Sequence, residues 1–133
     1  MEPSVTTGPA KHFVVGVDDD FRVRESIESL IESAGYSPLL FASAEEFLGS
    51  GALKAAVCLI TDVRMPGMDG LELQRRVRND RPKFPVIFIS AHYDERTRER
   101  ALDGGAVCFL YKPFDAAELL RVVQAAVNNC REE

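Results

Sequence analysis

Charged and hydroxyl side chains stand at the ends of four short apolar segments in this sequence. The first segment is followed by three aspartates, the third by one aspartate and the fifth by a lysine, and the fourth ends in a serine. These residues are Asp18, Asp19, Asp20, Asp62, Ser90 and Lys112. If the segments are parallel strands, their carboxyl ends meet at one edge of a sheet, which is where open parallel sheets bind ligands. The sequence therefore predicts one site that is rich in carboxylates and also holds a hydroxyl and an ammonium group.

Carboxylates crowded at one site favour a hard divalent cation, because without one they repel each other at neutral pH. Mg²⁺ prefers oxygen ligands and is typically held by one or two carboxylates together with phosphate oxygens. Lys112 would place a second positive charge in the pocket, suited to an oxygen of a transferred phosphoryl group. Asp62 becomes a candidate nucleophile that could form an aspartyl phosphate. The Ser90 hydroxyl could then hydrogen-bond the phosphoryl group.

The strands that must position these residues are predicted from apolar runs of five or six residues. They are expected at 13–17, 36–41, 56–61, 86–90 and 106–111. Four of the runs are apolar almost throughout, which is typical of strands covered by helices on both faces.

Helical patterns follow every predicted strand. The first has an apolar stripe that ends before Gly35, a residue suited to a left-handed helix cap. Ser43 begins a capping box, 70–79 predicts a third helix, 94–103 a fourth with a thin apolar stripe, and Asp115 caps a fifth. Strict alternation of strand and helix predicts an α/β fold, a doubly wound parallel sheet with helices on both faces.

The composition limits the chain to one acidic globular domain. It has 133 residues, with 16 Lys and Arg against 21 Asp and Glu, which gives a formal net charge of −5. A domain of this size buries roughly two thirds of its unfolded surface, enough for a core without metal or disulfide. The acidic balance argues against a protein whose main task is to bind nucleic acid or anionic membranes.

Neither the cysteines nor the apolar runs predict export. Cys58, Cys108 and Cys130 form no C-x-x-C pair and fit buried thiols in a reducing compartment. No apolar run approaches the ~20 residues of a membrane span, and the N-terminus lacks the pattern of a signal peptide. We therefore expect a cytoplasmic protein without membrane contact, with a flexible leader at 1–11, one domain at 12–130 and a tail at 131–133.

Four separated motifs resemble the receiver domain of two-component response regulators. A single motif would be weak evidence, but all four occur in order and at the expected spacings. The resemblance extends from about Phe13 to Val127. The motifs are Val17-Asp18-Asp19-Asp20, the segment LITDVRMPGMDG at 59–70, Ile89-Ser90-Ala91 and the segment FLYKPF at 109–114.

The resemblance implies a fold and a set of ligands. The fold would be the flavodoxin-like (βα)5 sandwich with five parallel strands in the order 2-1-3-4-5. Asp62 would be the phosphoacceptor, which receives a phosphoryl group from the histidine of a sensor histidine kinase. Asp18 and Asp19 would bind Mg²⁺ together with Asp62 and the backbone carbonyl of Arg64.

The resemblance also implies a switch. Ser90 and Phe109 would take the places of the switch hydroxyl and the switch aromatic residue, and Lys112 that of the lysine, which is usually followed by a cis peptide to proline. Phe109 has no phenolic hydroxyl, so its inward rotation would depend on packing alone. Taken alone, Phe109 fits a core residue, whereas the switch role would leave it partly exposed in the resting state. The face formed by helix 4, strand 5 and helix 5 would rearrange to control an effector or a phosphorylation-linked homodimer.

Other functions fit these residues less well. A small Mg²⁺-dependent phosphohydrolase of the haloacid dehalogenase type also forms an aspartyl phosphate, but Arg22 stands where its motif needs Thr or Val. A flavin carrier needs a phosphate-binding first loop, which three aspartates would repel. An interaction module independent of phosphorylation would leave the site residues without a use. We therefore predict no enzyme beyond a receiver that catalyses its own phosphorylation and dephosphorylation.

Two further segments suggest an output. The segments 42–48 and 85–92 are similar to receivers of helix-turn-helix, LuxR-like transcriptional regulators. The chain would be either a single-domain regulator or a fragment that lacks its output domain. In the second case we expect regulation of transcription, with DNA bound only through the missing output domain.

Overall fold

In the computed structural model, five strands and five helices alternate along the described residues, 12–131, with side chains described through Asn129. The strands are β1 Phe13–Val17, β2 Ser37–Phe41, β3 Ala56–Asp62, β4 Val86–Ser90 and β5 Cys108–Tyr111. The helices are α1 Phe21–Ser33, α2 Ala44–Ser50, α3 Gly70–Asp80, α4 Glu95–Asp103 and α5 Ala116–Arg131, and a short 3-10 turn, Ala52–Lys54, precedes β3. The predicted leader at 1–11 and the end of the predicted tail, 132–133, lie outside the described residues.

The strands form one parallel sheet in the order β2-β1-β3-β4-β5, as the sequence predicts. β2 lies on one side of β1, and β3 and the later strands lie on the other. The carboxyl ends of β1 and β3 are therefore the topological switch point, where such sheets bind ligands. Asp62 pairs with Ile89 and Ser90 pairs with Tyr111 in the register of the sheet. The predicted site residues therefore end at one edge.

Two apolar layers enclose the sheet. Phe47, Leu73 and Phe88 belong to the layer that contains residues of α2 and α3, whereas Ile27 and Leu119 belong to the layer under α1 and α5. All residues of β4 are buried, and only the edge strand β2 is partly exposed along its whole length. Covering on both faces explains why the central strands are continuously apolar rather than alternating.

Aspartate or serine side chains cap the helices where the sequence predicts. Ser43 accepts a hydrogen bond from the amide of Glu46, and Asp115 accepts one from the amide of Ala117. Asp20 caps α1, where it accepts from the amide of Arg22. Since such caps satisfy amides that a helix leaves unpaired, they fix where the loops at the site end and the helices begin.

The fifth strand begins later than its apolar run predicts. The run starts at Ala106, but the amide of Ala106 donates to the carbonyl of Ala101 and so completes the C-terminal turn of α4. Gly105 adopts a left-handed conformation there, with a φ of 100°. The backbone is thus engaged by the helix end through Ala106, the amide of Val107 turns to the carbonyl of Val86 on β4, and β5 begins at Cys108.

The structure also bears on the predictions about the cysteines and about membrane spans. Cys58 is buried, whereas Cys108 is partly exposed, and burial raises the pKa of the Cys108 thiol, which keeps it protonated. The side chain of Cys130 lies outside the description. Among the helices described, none has the length and apolar content needed to cross a membrane.

We predict that Gly70→Ala lowers the free energy of unfolding by about 2 kcal/mol or more. A Cβ atom at Gly70 would clash with the backbone oxygen of Asp62, so the site loop or the start of α3 would have to shift. Urea unfolding followed by circular dichroism measures the change. Gly49→Ala on α2 is the control, because a Cβ atom there meets nothing within 4 Å and the substitution should stabilise the helix by up to about 1 kcal/mol. Equal effects of the two substitutions would contradict the prediction.

Candidate functional site

Asp18 and Asp62 share one ammonium group at the edge of the sheet. The Lys112 Nζ atom lies 2.9 Å from Asp18 Oδ2 and 3.0 Å from Asp62 Oδ2. Asp18 is fully buried and Asp62 is 6% exposed. The structure therefore confirms that the ends of β1 and β3 and the residue after β5 converge.

Backbone contacts hold each of these residues in place. The carbonyl of Asp18 accepts a hydrogen bond from Arg24 Nη1 at 2.8 Å, and Asp18 Oδ1 accepts one from the amide of Asp20 at 2.9 Å. Asp62 Oδ1 accepts from the amide of Val63 at 2.7 Å. The amide of Lys112 donates to the carbonyl of Ser90 at 2.7 Å, and the Lys112-Pro113 peptide is cis, as the resemblance implies.

Burial sets the protonation behaviour of the pair formed by Asp18 and Lys112. Burial raises the pKa of the Asp18 carboxyl, and the charge of Asp62 raises it further, while Lys112 and the amide of Asp20 act in the opposite direction without cancelling the rise. Burial lowers the pKa of Lys112, but Asp18 and Asp62 together outweigh burial, so the pKa of Lys112 is raised. The ammonium group is therefore charged at neutral pH and only partly compensates the carboxylates.

The acidic cluster fits a hard divalent cation. Asp18, Asp19 and Asp62 each offer one carboxylate oxygen, and these oxygens lie within 4.8 Å of one another. Asp18 Oδ2 is buried and, although Lys112 is close, accepts no hydrogen bond of good geometry. Asp19 is exposed and can approach a hydrated ion. An all-oxygen donor set with an unsatisfied buried oxygen is compatible with Mg²⁺.

Ser90 lies at the same edge, but its hydroxyl is occupied by its own loop. Ser90 Oγ accepts a hydrogen bond from the amide of His92 at 3.1 Å and donates to the carbonyl of His92 at 3.3 Å. The serine is 2% exposed. The hydroxyl is thus turned to the β4–α4 loop, and none of its hydrogen bonds in the described residues reaches Asp62.

The side chain of Arg64 approaches α4. Its Nη2 atom lies 3.8 Å from Asp94 Oδ2, and Asp94 is the N-cap of α4. The Arg64 side chain is 58% exposed and that of Asp94 40%, so this ion pair contributes little to stability. Its geometry nevertheless links the loop after Asp62 to the start of α4.

Phe109 is buried, and the expectation that it would be partly exposed is wrong. It is 8% exposed, stacks on Phe88 at a ring distance of 5.9 Å and meets Tyr111 edge-on at 5.4 Å. Tyr111 in turn stacks on Tyr93 at 4.1 Å, and Tyr93 is 81% exposed. A continuous row of aromatic rings therefore runs from the core to the surface. Phe109 and Tyr111 are two positions apart on β5 and so share one face of the sheet, which is the sequence signal that could have indicated the contact between their rings.

A glutamate that the sequence analysis did not single out contacts the loop between Asp62 and α3. Glu45 Oε2, on α2, accepts a hydrogen bond from the amide of Met68 at 2.8 Å. The two residues are 23 positions apart, and no local motif connects them.

Comparison with known proteins gives a consistent assignment. The family model described as response regulator receiver domain matches residues 14–124. The chain is 44% identical over 111 residues to the response regulator protein TodT of Pseudomonas putida, covering 84% of this chain and 49% of TodT. It is 40% identical over 127 residues to nodulation protein W of Bradyrhizobium diazoefficiens, covering 96% of this chain and 56% of that protein. The chain thus spans about half the length of these curated relatives.

A solved structure gives the same assignment. The chemotaxis protein CheY4 of Vibrio cholerae superposes with a TM-score of 0.79 at 29% identity, covering 88% of this chain and 99% of CheY4. The likeness therefore includes the whole of a protein about the size of this one.

We predict that Lys112→Met lowers the free energy of unfolding by about 3 kcal/mol near neutral pH without added metal, since it leaves two buried carboxylates unpaired. Urea unfolding measures the loss. The exposed Lys83 serves as control, and Lys83→Met should change little.

The free energy of unfolding lost in Lys112→Met should decrease as the pH falls. Burial and the charge of Asp62 hold the pKa of Asp18 above its usual value even beside Lys112, and removal of the ammonium group raises it further, so the variant is most stable where Asp18 is protonated and loses stability as the pH rises. The pKa of Lys112 is itself raised, so its charge persists over this range in the wild type. The difference between wild type and variant should therefore shrink as the pH falls. A difference that grows towards acidic pH would contradict the pairing.

Proposed function

Because the chain belongs to the family of response regulator receiver domains, it is a phosphorylation-controlled signalling switch, and we propose that Asp62 is the residue that accepts the phosphoryl group. The observation that carries this proposal is the position of Asp62 at the end of β3, 3.0 Å from the ammonium of Lys112 and beside Asp18 and Asp19. Receiver domains are switches rather than classical enzymes, and nothing in this site favours the phosphohydrolase alternative.

The proposed reaction is a phosphoryl transfer from a phosphohistidine of a sensor kinase. A carboxylate oxygen of Asp62 forms the new bond to phosphorus while the bond from phosphorus to the imidazole nitrogen breaks, and the electron pair of that bond returns to the imidazole. The amide of Val63 and the ammonium of Lys112 orient the carboxylate. Lys112 also offsets charge on the phosphoryl oxygens.

Four groups of this chain would hold Mg²⁺: the carboxylates of Asp18, Asp19 and Asp62 and the backbone carbonyl of Arg64. When bound, the ion supplies positive charge to the phosphoryl oxygens. The donor set supports this proposal because its oxygens are close together and one of them, Asp18 Oδ2, is buried without a hydrogen bond.

The switch step follows from the charge that phosphorylation adds, about −1.5 to −2. The Ser90 hydroxyl gives up its 3.3 Å hydrogen bond to the carbonyl of His92 and donates to the phosphoryl group instead. Phe109 acts in this proposal through its packing, because it connects Phe88 on β4 with Tyr111 and so with Tyr93. Phosphorylation then selects the arrangement in which the Ser90 hydroxyl faces the site.

The helix most able to respond is α4. Ala101 is its one buried residue among those described, so little apolar contact opposes its displacement. The surface of α4, β5 and α5 is therefore the proposed output face, which controls an effector or a homodimer linked to phosphorylation.

The output proposed for the whole protein is regulation of transcription. It rests on curated relatives that are named as transcriptional regulators and on the fact that the chain spans about half the length of the first relatives it matches. DNA would be bound by an output domain outside this sequence. The cytoplasmic location and the domain limits at 12–130 stay predictions.

We predict that incubation with a small phosphodonor and Mg²⁺ adds one phosphoryl group per chain, which intact mass spectrometry detects. Asp62→Asn should abolish the addition, because an amide oxygen is a poor nucleophile. Asp115→Asn is the matched control, since Asp115 only caps α5 and should leave the addition intact.

Two outcomes would contradict the assignment of Asp62. One is the absence of any added phosphoryl group, and the other is addition that persists undiminished in Asp62→Asn. Sustained turnover of p-nitrophenyl phosphate, rather than saturation at one group per chain, would instead favour the phosphohydrolase.

We further predict that Mg²⁺ raises the melting temperature by binding only the folded chain. At about 100 times its Kd the ion adds about 2.7 kcal/mol, which corresponds to roughly 10 °C in a domain of this size. Asp19→Ala should remove this shift, and its exposure means that the fold itself should tolerate the change. Asp20→Ala is the control: loss of the α1 cap should lower the melting temperature but leave the Mg²⁺ shift intact. A full shift in Asp19→Ala would place the ion elsewhere.

A further inference from the structure

We propose that Glu45 is a positioning residue for the metal site: its carboxylate holds the β3–α3 loop, residues 63–69, in the conformation that presents the carbonyl of Arg64 to Mg²⁺. This inference rests on the proposed function of the acidic cluster. It assigns a role in that function to α2, a helix that contributes no proposed ligand.

Glu45 lies close to two residues of the loop, Met68 and Gly67. Glu45 Oε2 accepts a hydrogen bond from the amide of Met68 at 2.8 Å. A Cβ atom at Gly67 would lie 2.6 Å from the same oxygen, and Gly67 has a φ of 78°, in the left-handed region. Glycine at this position therefore serves both the turn of the loop and the approach of the carboxylate.

The two ends of the loop are fixed independently of Glu45. At its start, the amide of Val63 donates to Asp62 Oδ1, and the carbonyl of Val63 accepts from the amide of Gly70 at 2.7 Å. At its end, Asp69 caps α3 by accepting from the amide of Glu72 at 2.9 Å.

Glu45 supplies the hydrogen bond to the backbone in the middle of the loop. Across the described part of the chain, its contact with Met68 is the only hydrogen bond that holds the backbone between Arg64 and Met68. This middle segment contains the carbonyl proposed as a metal ligand. Losing the contact would leave this segment without a hydrogen bond to its backbone, held by its two ends, by the burial of Met65 and by the weak ion pair between Arg64 and Asp94.

Glu45 is free for this role because its neighbour completes the helix cap. Glu46 Oε1 accepts from the amide of Ala42 at 3.1 Å, and the amide of Glu46 donates to Ser43 Oγ at 3.1 Å. The hydrogen bond from Met68 lowers the pKa of Glu45, and the nearby charge of Arg76 lowers it further. Glu45 is therefore ionised at neutral pH, and the bond to the loop is charge-assisted.

The consequence for the metal follows from how ligands are held. Groups that orient a ligand without touching the ion typically change metal affinity by about 10- to 100-fold when they are removed. A loop that samples several conformations must also be ordered when the ion binds, which weakens the apparent affinity. Since only one proposed ligand lies in this loop, we expect an effect at the lower end of that range.

The test measures the Kd of Mg²⁺ for the full chain by calorimetry. Glu45→Ala should raise the Kd about tenfold. Glu45→Gln should restore most of the affinity, because its side-chain oxygen can still accept from the amide of Met68. Glu46→Ala is the matched control, since it removes a comparable hydrogen bond from the same helix without touching the loop, and its Kd should equal that of the wild type.

A second readout does not depend on the metal. Hydrogen exchange of the Met68 amide, measured without Mg²⁺, should be faster in Glu45→Ala than in the wild type and unchanged in Glu46→Ala. An unchanged Kd in Glu45→Ala would overturn the inference while leaving the metal site itself in place. An equal loss of affinity in Glu46→Ala would overturn it as well, because stability of α2 would then explain the effect. Absence of Mg²⁺ binding to the wild type would refute the proposed metal site, and the inference would fall with it.

Discussion

The burial of two carboxylates against one ammonium group is the interaction on which the rest of this structure depends. Asp18 and Asp62 are removed from water almost completely, and each ion buried in this way costs several kcal/mol before its partner is counted. Lys112 offsets part of that cost, but one positive charge faces two negative ones, with Asp19 adding a third at the surface. The fold therefore keeps a site that favours a further cation, at some expense to the stability of the chain alone.

Each loop that contributes to this charge cluster is fastened by a contact outside the cluster. Arg24 on α1 holds the carbonyl of Asp18, and Glu45 on α2 holds the amide of Met68 in the loop after Asp62. The amide of Lys112 is held by the carbonyl of Ser90 on the neighbouring strand. Repulsion between like charges would otherwise drive the loops apart, so neighbouring elements must supply the restraint. The strand order makes this possible, because the reversal between β1 and β3 brings the two acidic ends side by side.

Local patterns in the sequence predict most of this arrangement, and the exceptions share a physical cause. Strand runs, caps such as Asp20 and Ser43, and the convergence of strand ends all depend on residues close in sequence or on sheet topology. The burial of Phe109 depends on its stacking with Phe88, 21 positions earlier, and the contact of Glu45 with Met68 spans 23 positions. The first contact is decided by the register of β4 and β5, which places Phe88 opposite Phe109, and the second by how α2 approaches the loop after β3. The spacing of residues along the chain encodes neither. The later start of β5 has a local cause, namely competition for the amide of Ala106.

The short β4–α4 loop connects the site with the helix that is most weakly held. Ser90 forms hydrogen bonds to the backbone of His92. Tyr93 follows and stacks on Tyr111. Asp94 then caps α4 and faces Arg64. A displacement of the Ser90 hydroxyl therefore reaches the N-terminus of α4 within a few residues of chain. The opposite end of α4 is held by the hydrogen bond from Gln74 Nε2 to the carbonyl of Ala101. Because the apolar contact of α4 is small and its N-terminus is tied to the site, a change at Ser90 is more readily taken up by movement of this end than by rearrangement of the sheet.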